Sequence, residues 1–417
     1  MIKLAYEWIG PAGPISNNDF PNLYNIRRQF DHFTDWDYPT CGPSLKEFLS
    51  ELYDVEITPV SEIKDKDFFL YEINIDYKYP FVFDSFFMSS VTPRIKHLLN
   101  SDRSNGYYAF NTCLEGWSDS NFLNRLYEGL RKRQINTNKV ILFTGAINAQ
   151  ALHDEWALRN RIDKPIKIVS CNGYYRVPRK RLNNKKPRAK KFLCFNRRWK
   201  PHRVLLYVYL HKHKLLDHFY FSMSKENVSN PGDSFHRYAE DLINRRGYSG
   251  LGLTIDDVNA AYNDLPMILD DGDFEKINWW DNSKLTQYYN DSYISIVTET
   301  CFESQEVFPT EKSFNPMSYG HPIIVIGTPG FLNGIRSLGF KTFSNTIDES
   351  YDEITNNGDR LMKIINMITE MCSWPESKFE ELVTNTQTDC LHNYHLLSTN
   401  VPKDITVQQL GKIYDNR

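Results

Sequence analysis

Short apolar runs alternate with amphipathic stretches along most of this chain. In the first half, residues 2–8, 68–75, 140–144 and 166–170 are apolar runs of strand length. Helical spacing separates some of them, at residues 121–133 and 148–158. Residues 77–93 are aromatic-rich and fit neither period. In the second half the alternation is clearer. Residues 191–195 read as a strand, 201–216 as a helix with Pro201 in its first turn, and 219–222 as a strand. Residues 225–284 are poorly patterned. A strand at 293–298 then precedes a loop, a helix opening near Thr310 and a strand at 321–326. Residues 331–338 read as a short helix stopped by Gly339, and 341–343 extend again. From Asp359 onward the pattern is helical. Strands alternating with helices predict parallel α/β sheets. The expected fold class is α/β, with two Rossmann-like domains facing a central cleft and helices at the C-terminus. Such sheets bind ligands at the carboxyl ends of their strands.

One compositional break divides the chain. Residues 176–203 hold 13 Lys or Arg and no acid, and the first part of that run contains Pro178, Pro187 and Asn183-Asn184. This is the signature of a linker. We place an N-terminal domain at 1–178, a basic linker at 179–190, a C-terminal domain at 191–375 and terminal helices at 376–417.

Bulk composition narrows the picture only slightly. A length of 417 residues suits two domains. The net charge of −3 gives no global attraction to nucleic acid or membrane. No run of 18 apolar residues is present, so no membrane span is expected. The start, with Glu7 and Pro11, reads as a strand rather than a signal peptide. Seven cysteines without a CxxC pair suggest reduced thiols and a cytoplasmic setting. Abundant Asn, Tyr, Lys and Ile beside scarce Ala hint at an AT-rich genome, such as a phage's.

The candidate chemistry lies at two helix heads. In "FPTEKSFNPMSYGHPIIVIGTPGF", from Phe308, Thr310 suits an N-cap and Glu311 suits the positive helix end. Lys312 does not, unless an anion binds there. Helix N–H groups and an ammonium together make a phosphate site, and Glu311 can accept from ribose hydroxyls. In "FLCFNRRWKPHRVLLYVYL", Asn196, Arg197, Arg198, Lys200, His202 and Arg203 crowd another strand–helix junction. Crowded cations call for a compensating anion, and Arg forks suit phosphate oxygens. Two basic helix heads in one parallel sheet point to a shared diphosphate.

The stretch "YISIVTETCFESQEVFPTEKSFNPMSYGHPIIVIGTPGF" resembles the donor-binding motif of α-1,3-fucosyltransferases. The Asn196 to Arg203 spacing is similar to that family's upstream Asn…Arg element. More broadly, residues 191 to about 351 are similar to uncharacterised glycosyltransferase-like proteins of GT-B type, many of them viral. The resemblance implies that Lys312 and Arg203, with Asn196, Arg197 and Arg198, contact a donor diphosphate. It implies that Glu311 binds ribose, grouped with Thr310 and Asn315, and that Glu299 or Glu306 lies near the sugar. This chain departs from the motif at Thr298-Glu299-Thr300 and in an insertion at 301–307, so the sugar need not be fucose nor the base guanine.

A glycosyltransferase must stabilise a departing nucleotide diphosphate and deprotonate an acceptor hydroxyl. The fixed cations can serve the first need without a metal. Transfer with inversion is what the resemblance implies, and no cofactor is expected beyond the nucleotide-diphosphate sugar itself. Glu115, in "NTCLEGWSD", is the candidate base beside Glu299, with Glu7, Asp19 and Asp154 as other acids. Asp-x-Asp pairs at 35/37, 65/67 and 271/273 have divalent-cation spacing, but among 52 acids three occurrences match chance. His211 and His213 are spaced wrongly for one helix face, and no zinc spacing occurs. Arg179, Arg181, Lys185, Lys186 and Arg188 in the basic linker suit a nucleic-acid backbone. The acceptor classes are DNA, including hydroxymethylated phage bases, surface glycans and proteins. The rival class is a sugar-nucleotide-binding protein without turnover.

Overall fold

A computed structural model describes residues 1–6, 9–10, 13–14, 45–50, 52–64, 66–74, 93–101, 104–113, 116–174, 187–196, 198–227, 234–244, 246–269, 285–397 and 403–415. The chain divides into two compact units. One comprises Met1–Gly173 with Pro402–Arg417, and the other Tyr174–Val401.

The first unit is built on β1 (Ile2–Tyr6), β2 (Val55–Pro59), β3 (Phe68–Asn74), β4 (Asn105–Thr112), β5 (Val140–Thr144) and β6 (Lys167–Ser170). They form one parallel sheet in the order β2-β1-β3-β4-β5-β6. Its helices include α1 (Leu45–Ser50), α2 (Pro93–Leu99), α3 (Ser120–Lys132) and α4 (Ala149–Arg159). Strand alternation sends Phe69, Tyr71 and Ile73 into one core and Phe68 and Leu70 into another. All five residues of β5 are buried, as a strand covered on both faces requires.

The second unit holds β7 (Lys190–Phe195), β8 (Phe219–Ser222), β9 (Ser292–Thr298) and β10 (Ile323–Ile326). They too are parallel, in the order β8-β7-β9-β10. Helix α5 (Pro201–Lys212) follows β7, and α6 (Phe235–Ile243) and α7 (Ile255–Asn263) follow β8. After α8 (Thr286–Asn290) and β9 come α9 (Glu311–Ser318), α10 (Phe331–Ser337), α11 (Asn357–Cys372) and α12 (Glu376–Leu396). Gly339, at φ +88°, adopts the left-handed conformation just beyond α10, as its sequence position suggested. Residues 341–343 join no strand. From β7 the chain moves outward to β8, then returns to β9 on the other side. The strand order therefore reverses between β7 and β9, where a parallel sheet opens a ligand site.

The terminal helices part company. Helix α12 belongs to the second unit, whereas α13 (Lys403–Asp415) belongs to the first. There Leu410 enters the core, the Gln409 side chain accepts the Ser170 amide at 2.6 Å, and the Thr406 hydroxyl donates to the Ser170 carbonyl at 2.7 Å. Among the described residues no helix is long and apolar enough to cross a membrane.

Candidate functional site

The reversal point of the second sheet is closed by three polar side chains. Asn196, just past β7, takes its backbone hydrogen bond to the Ser222 carbonyl at 3.0 Å, and its side-chain oxygen accepts from the Thr298 hydroxyl. That joins the carboxyl ends of β7, β8 and β9. Glu299 comes next and is fully buried. Its Oε1 accepts from the Thr310 amide at 3.0 Å and the Ser313 hydroxyl at 2.7 Å. Its Oε2 accepts from the Thr310 hydroxyl at 2.7 Å and the Thr300 amide at 3.2 Å. Both oxygens brace the head of α9 from behind. Thr310 then caps the helix, accepting the Lys312 amide at 3.3 Å.

The two opposite charges at this head are paired with each other. Lys312 Nζ lies 2.7 Å from Glu311 Oε1 and also donates to the Thr310 and Thr300 hydroxyls, at 3.1 and 3.3 Å. Burial pushes the Glu311 carboxyl upward, but Lys312 and the hydrogen bonds pull harder, and it lies below the usual glutamate range.

The second basic loop reaches the same three residues. Arg203, in the first turn of α5, donates through Nη2 to the carbonyls of Thr298 at 2.8 Å and Glu299 at 3.3 Å, and through Nη1 to that of Arg198 at 3.1 Å. The side chain is 3% exposed, and its Nε has no hydrogen-bond partner among the described residues. Burial lowers its guanidinium to about 10, partly offset by Glu299 and Glu311. It therefore stays charged at neutral pH, beneath the loop rather than on its surface. His202 Nε2 bonds the Glu299 carbonyl at 2.9 Å, and burial with Arg203 nearby drives the ring well below its ordinary value, so it is neutral. Lys200 forms no hydrogen bond or ion pair with the described residues, and burial, then Arg203, Arg198 and Lys312, depress its ammonium. Lys200 also occupies the N-cap of α5 without a side-chain cap. The head of α5 thus offers N–H groups and an unneutralised cation, whereas the head of α9 is already satisfied internally.

No family model matches the chain, and no curated protein matches it. Solved structures that resemble it include the UDP-forming α,α-trehalose-phosphate synthase of Burkholderia vietnamiensis. That likeness has 10% identity and a TM-score of 0.44, and spans 85% of this chain and 73% of that one. The trehalose-6-phosphate synthase OtsA has 11% identity and a TM-score of 0.39, spanning 85% and 73%. S. aureus MnaA, in its co-structure with UDP, has 10% identity and a TM-score of 0.34, spanning 87% and 91%.

The remaining candidates distribute unevenly. Glu306 is buried in the loop between β9 and α9, and Asn315 is buried within α9, its carbonyl accepting the Ser318 hydroxyl at 2.7 Å. Glu115, Arg197, Glu7, Asp19, Arg179, Arg181, Lys185 and Lys186 lie outside the described residues, as do the acid pairs at 35/37 and 271/273 and Asp65. Asp67 accepts Lys3 at 2.9 Å, and the largely exposed Asp154 accepts the Gln150 amide at 2.8 Å. Arg188 turns inward. Its Nη1 donates to the Ser292 carbonyl at 2.7 Å, and its guanidinium lies 5.4 Å from the Tyr293 ring centre. That posture anchors the segment to β9 and leaves the guanidinium engaged there. Among the described residues no group of three or more His, Cys, Asp or Glu side chains has the arrangement to hold a metal ion.

Two features had no signal in the sequence. Arg360, 1% exposed, donates to the carbonyls of Gly327 at 3.0 Å, Phe302 at 2.7 Å and Ile354 at 2.8 Å, so it clamps the loop after β9 to the end of β10. Tyr248 donates its hydroxyl to Glu303 at 2.6 Å across 55 residues. Neither pairing follows a local spacing.

Proposed function

We propose that the protein is a GT-B-type glycosyltransferase that moves a sugar from a nucleotide-diphosphate donor to an acceptor hydroxyl with inversion. One observation carries this reading. Lys200, Arg203 and Lys312, from two separate loops, gather around residues 298–300 where the strand order of the second sheet reverses. A diphosphate set there meets Lys200, Lys312 and the uncapped head of α5, with the Arg203 charge fixed beneath. Fixed cations in a partly desolvated site stabilise the leaving diphosphate as its charge develops, without reorganising. Glu299 is assigned a positioning role, because its oxygens hold the Lys312-bearing turn. Glu115 remains the proposed base, taking the acceptor proton as the hydroxyl attacks the anomeric carbon in line. For the acceptor we propose a hydroxymethylated base of phage DNA, on the strength of the basic segment at 176–191. A glycan or protein acceptor is the alternative.

The test supplies purified protein with UDP-, GDP-, ADP- and TDP-sugars and follows release of free nucleotide diphosphate with each acceptor class. The reading expects release from at least one donor, lost about a hundredfold or more in Lys200→Ala/Lys312→Ala. Binding of a sugar nucleotide without release in the presence of any acceptor supports the non-catalytic alternative. Absence of salt-sensitive retention on duplex DNA at low ionic strength ends the DNA proposal.

A further inference from the structure

An open pocket of about 400 Å³ lies within the second unit, lined by Gly247, Tyr248, Glu303, Asn356, Asn357 and Gly358. Its lining contains no Lys or Arg, which sets it apart from the cationic site. Its floor is a backbone contact. A Cβ on Gly358 would stand 1.2 Å from the Gly247 carbonyl oxygen, so only glycine lets the first turn of α11 approach that close. The walls are held in place. Arg360 donates to the Phe302 carbonyl at 2.7 Å and to Asn357 Oδ1 at 2.8 Å, fixing the residue before Glu303 against the head of α11. Tyr248 fixes the Glu303 carboxylate with its hydroxyl.

The polar groups define the ligand. The oxygens of Asn356 and Asn357 accept from the Asp359 amide and from Arg360, so each amide offers its nitrogen. A carboxylate has room for about four hydrogen bonds and accepts only. The pocket therefore offers acceptors at Glu303 beside donors at the two asparagines. Adjacent hydroxyls, each a donor and an acceptor, satisfy both sets at once. The pocket also borders the diphosphate site. The Phe302 ring lies 4.9 Å from the His202 ring and 4.4 Å from the Arg360 guanidinium, on the loop that leaves Glu299.

We propose that this pocket binds a vicinal diol through Glu303, Asn356 and Asn357. Only the source of the diol rests on the function proposed above, where it is either the ribose of the donor nucleotide or the sugar it carries. Glu311, the carboxylate the sequence offered for ribose, is committed to Lys312.

The experiment titrates wild type, Glu303→Ala and Glu303→Gln with UDP, GDP, their 2′,3′-dideoxy counterparts, UDP-glucose and pyrophosphate. A ribose source predicts that Glu303→Ala weakens UDP or GDP about tenfold and leaves the dideoxy compounds unchanged. A sugar source predicts the same loss for UDP-glucose with UDP unchanged. Glu303→Gln, which keeps shape, is expected to show a similar fall with an unaltered Tm. Equal affinities in wild type and both variants for every diol overturn the proposal. So does a Glu303-dependent preference between UDP and GDP that persists in the dideoxy forms, which assigns the pocket to a base edge. Pyrophosphate is expected to bind all three proteins alike. Its failure to bind wild type sinks the diphosphate reading alone, because free ribose and glucose, followed through the Tyr248 resonance, still decide the pocket.

Discussion

Replacing Glu299 with Gln distinguishes a brace from a group that touches substrate. The wild-type carboxylate accepts four hydrogen bonds, two from hydroxyls and two from the Thr310 and Thr300 amides. Hydroxyls can rotate to accept instead, but backbone amides cannot. A carboxamide keeps one acceptor oxygen, so one of the two amides must face an N–H donor. Keeping the shorter 3.0 Å bond to Thr310 leaves Thr300 orphaned. A buried unsatisfied amide costs about 1–3 kcal/mol. Loss of the negative charge nearest Arg203 adds to this, because the guanidinium is 3% exposed and Glu299 is the largest contributor offsetting its burial. Together these come to about 3–5 kcal/mol, the range for breaking a buried charged pairing. Hydrogen exchange reads the loss locally. Protection of the Thr300 and Thr310 amides should fall about a hundredfold, which is roughly 2.8 kcal/mol. Donor binding should weaken through misplacement of Lys312, while the pH profile of any transfer keeps its shape. Unchanged protection together with a lost limb of the pH profile would refute the brace and return Glu299 to direct chemistry.

Three further substitutions probe other parts of the account. Lys312→Met removes the strongest attraction holding Glu311 below its ordinary range, leaving burial to raise it. A depressed carboxyl stabilises above its unfolded value near pH 4, and a raised one destabilises there, so the deficit should be about 2 kcal/mol at pH 7 and shrink below pH 4. A deficit independent of pH between 3 and 8 contradicts the pairing. Arg188→Ala should lower stability by about 2 kcal/mol, through the Ser292 carbonyl and the Tyr293 ring, without altering retention on duplex DNA. Lost retention at unchanged stability would give that side chain an outward role. Gly358→Ala should destabilise by about 1–3 kcal/mol as the Cβ drives Gly247 away; calorimetry showing no change would remove the close contact.

The elements that frame the site were legible because each carries its own local signal. Strand β9 is a continuous apolar run, α5 begins with a proline, and Thr310 sits where a cap belongs. The observed bounds differ from expectation mainly at fraying ends, as for α5, which stops at Lys212 rather than at residue 216. Strands β2 and β4 were missed. In β4, "NGYYAFNT" opens on a turn-like Asn-Gly, and β2 carries Glu56 and Pro59. Helices α6 and α7 were lost in a stretch without clear periodicity, although Thr254 and Asp257 form a capping box that the spacing allowed. The gathering of two cationic loops was readable in outline, since both follow strands of one sheet. Their different states were not. The cap on α9, the burial of Arg203 and the inward turn of Arg188 depend on contacts across 14 to 104 residues, which local pattern does not encode.

Titration calorimetry with pyrophosphate tests the convergence of the two loops most directly. Wild type should bind one equivalent in a salt-sensitive manner, Lys200→Ala and Lys312→Ala should each weaken it about tenfold, and the double variant further still. Pyrophosphate that binds all four proteins equally, or binds none, contradicts the account.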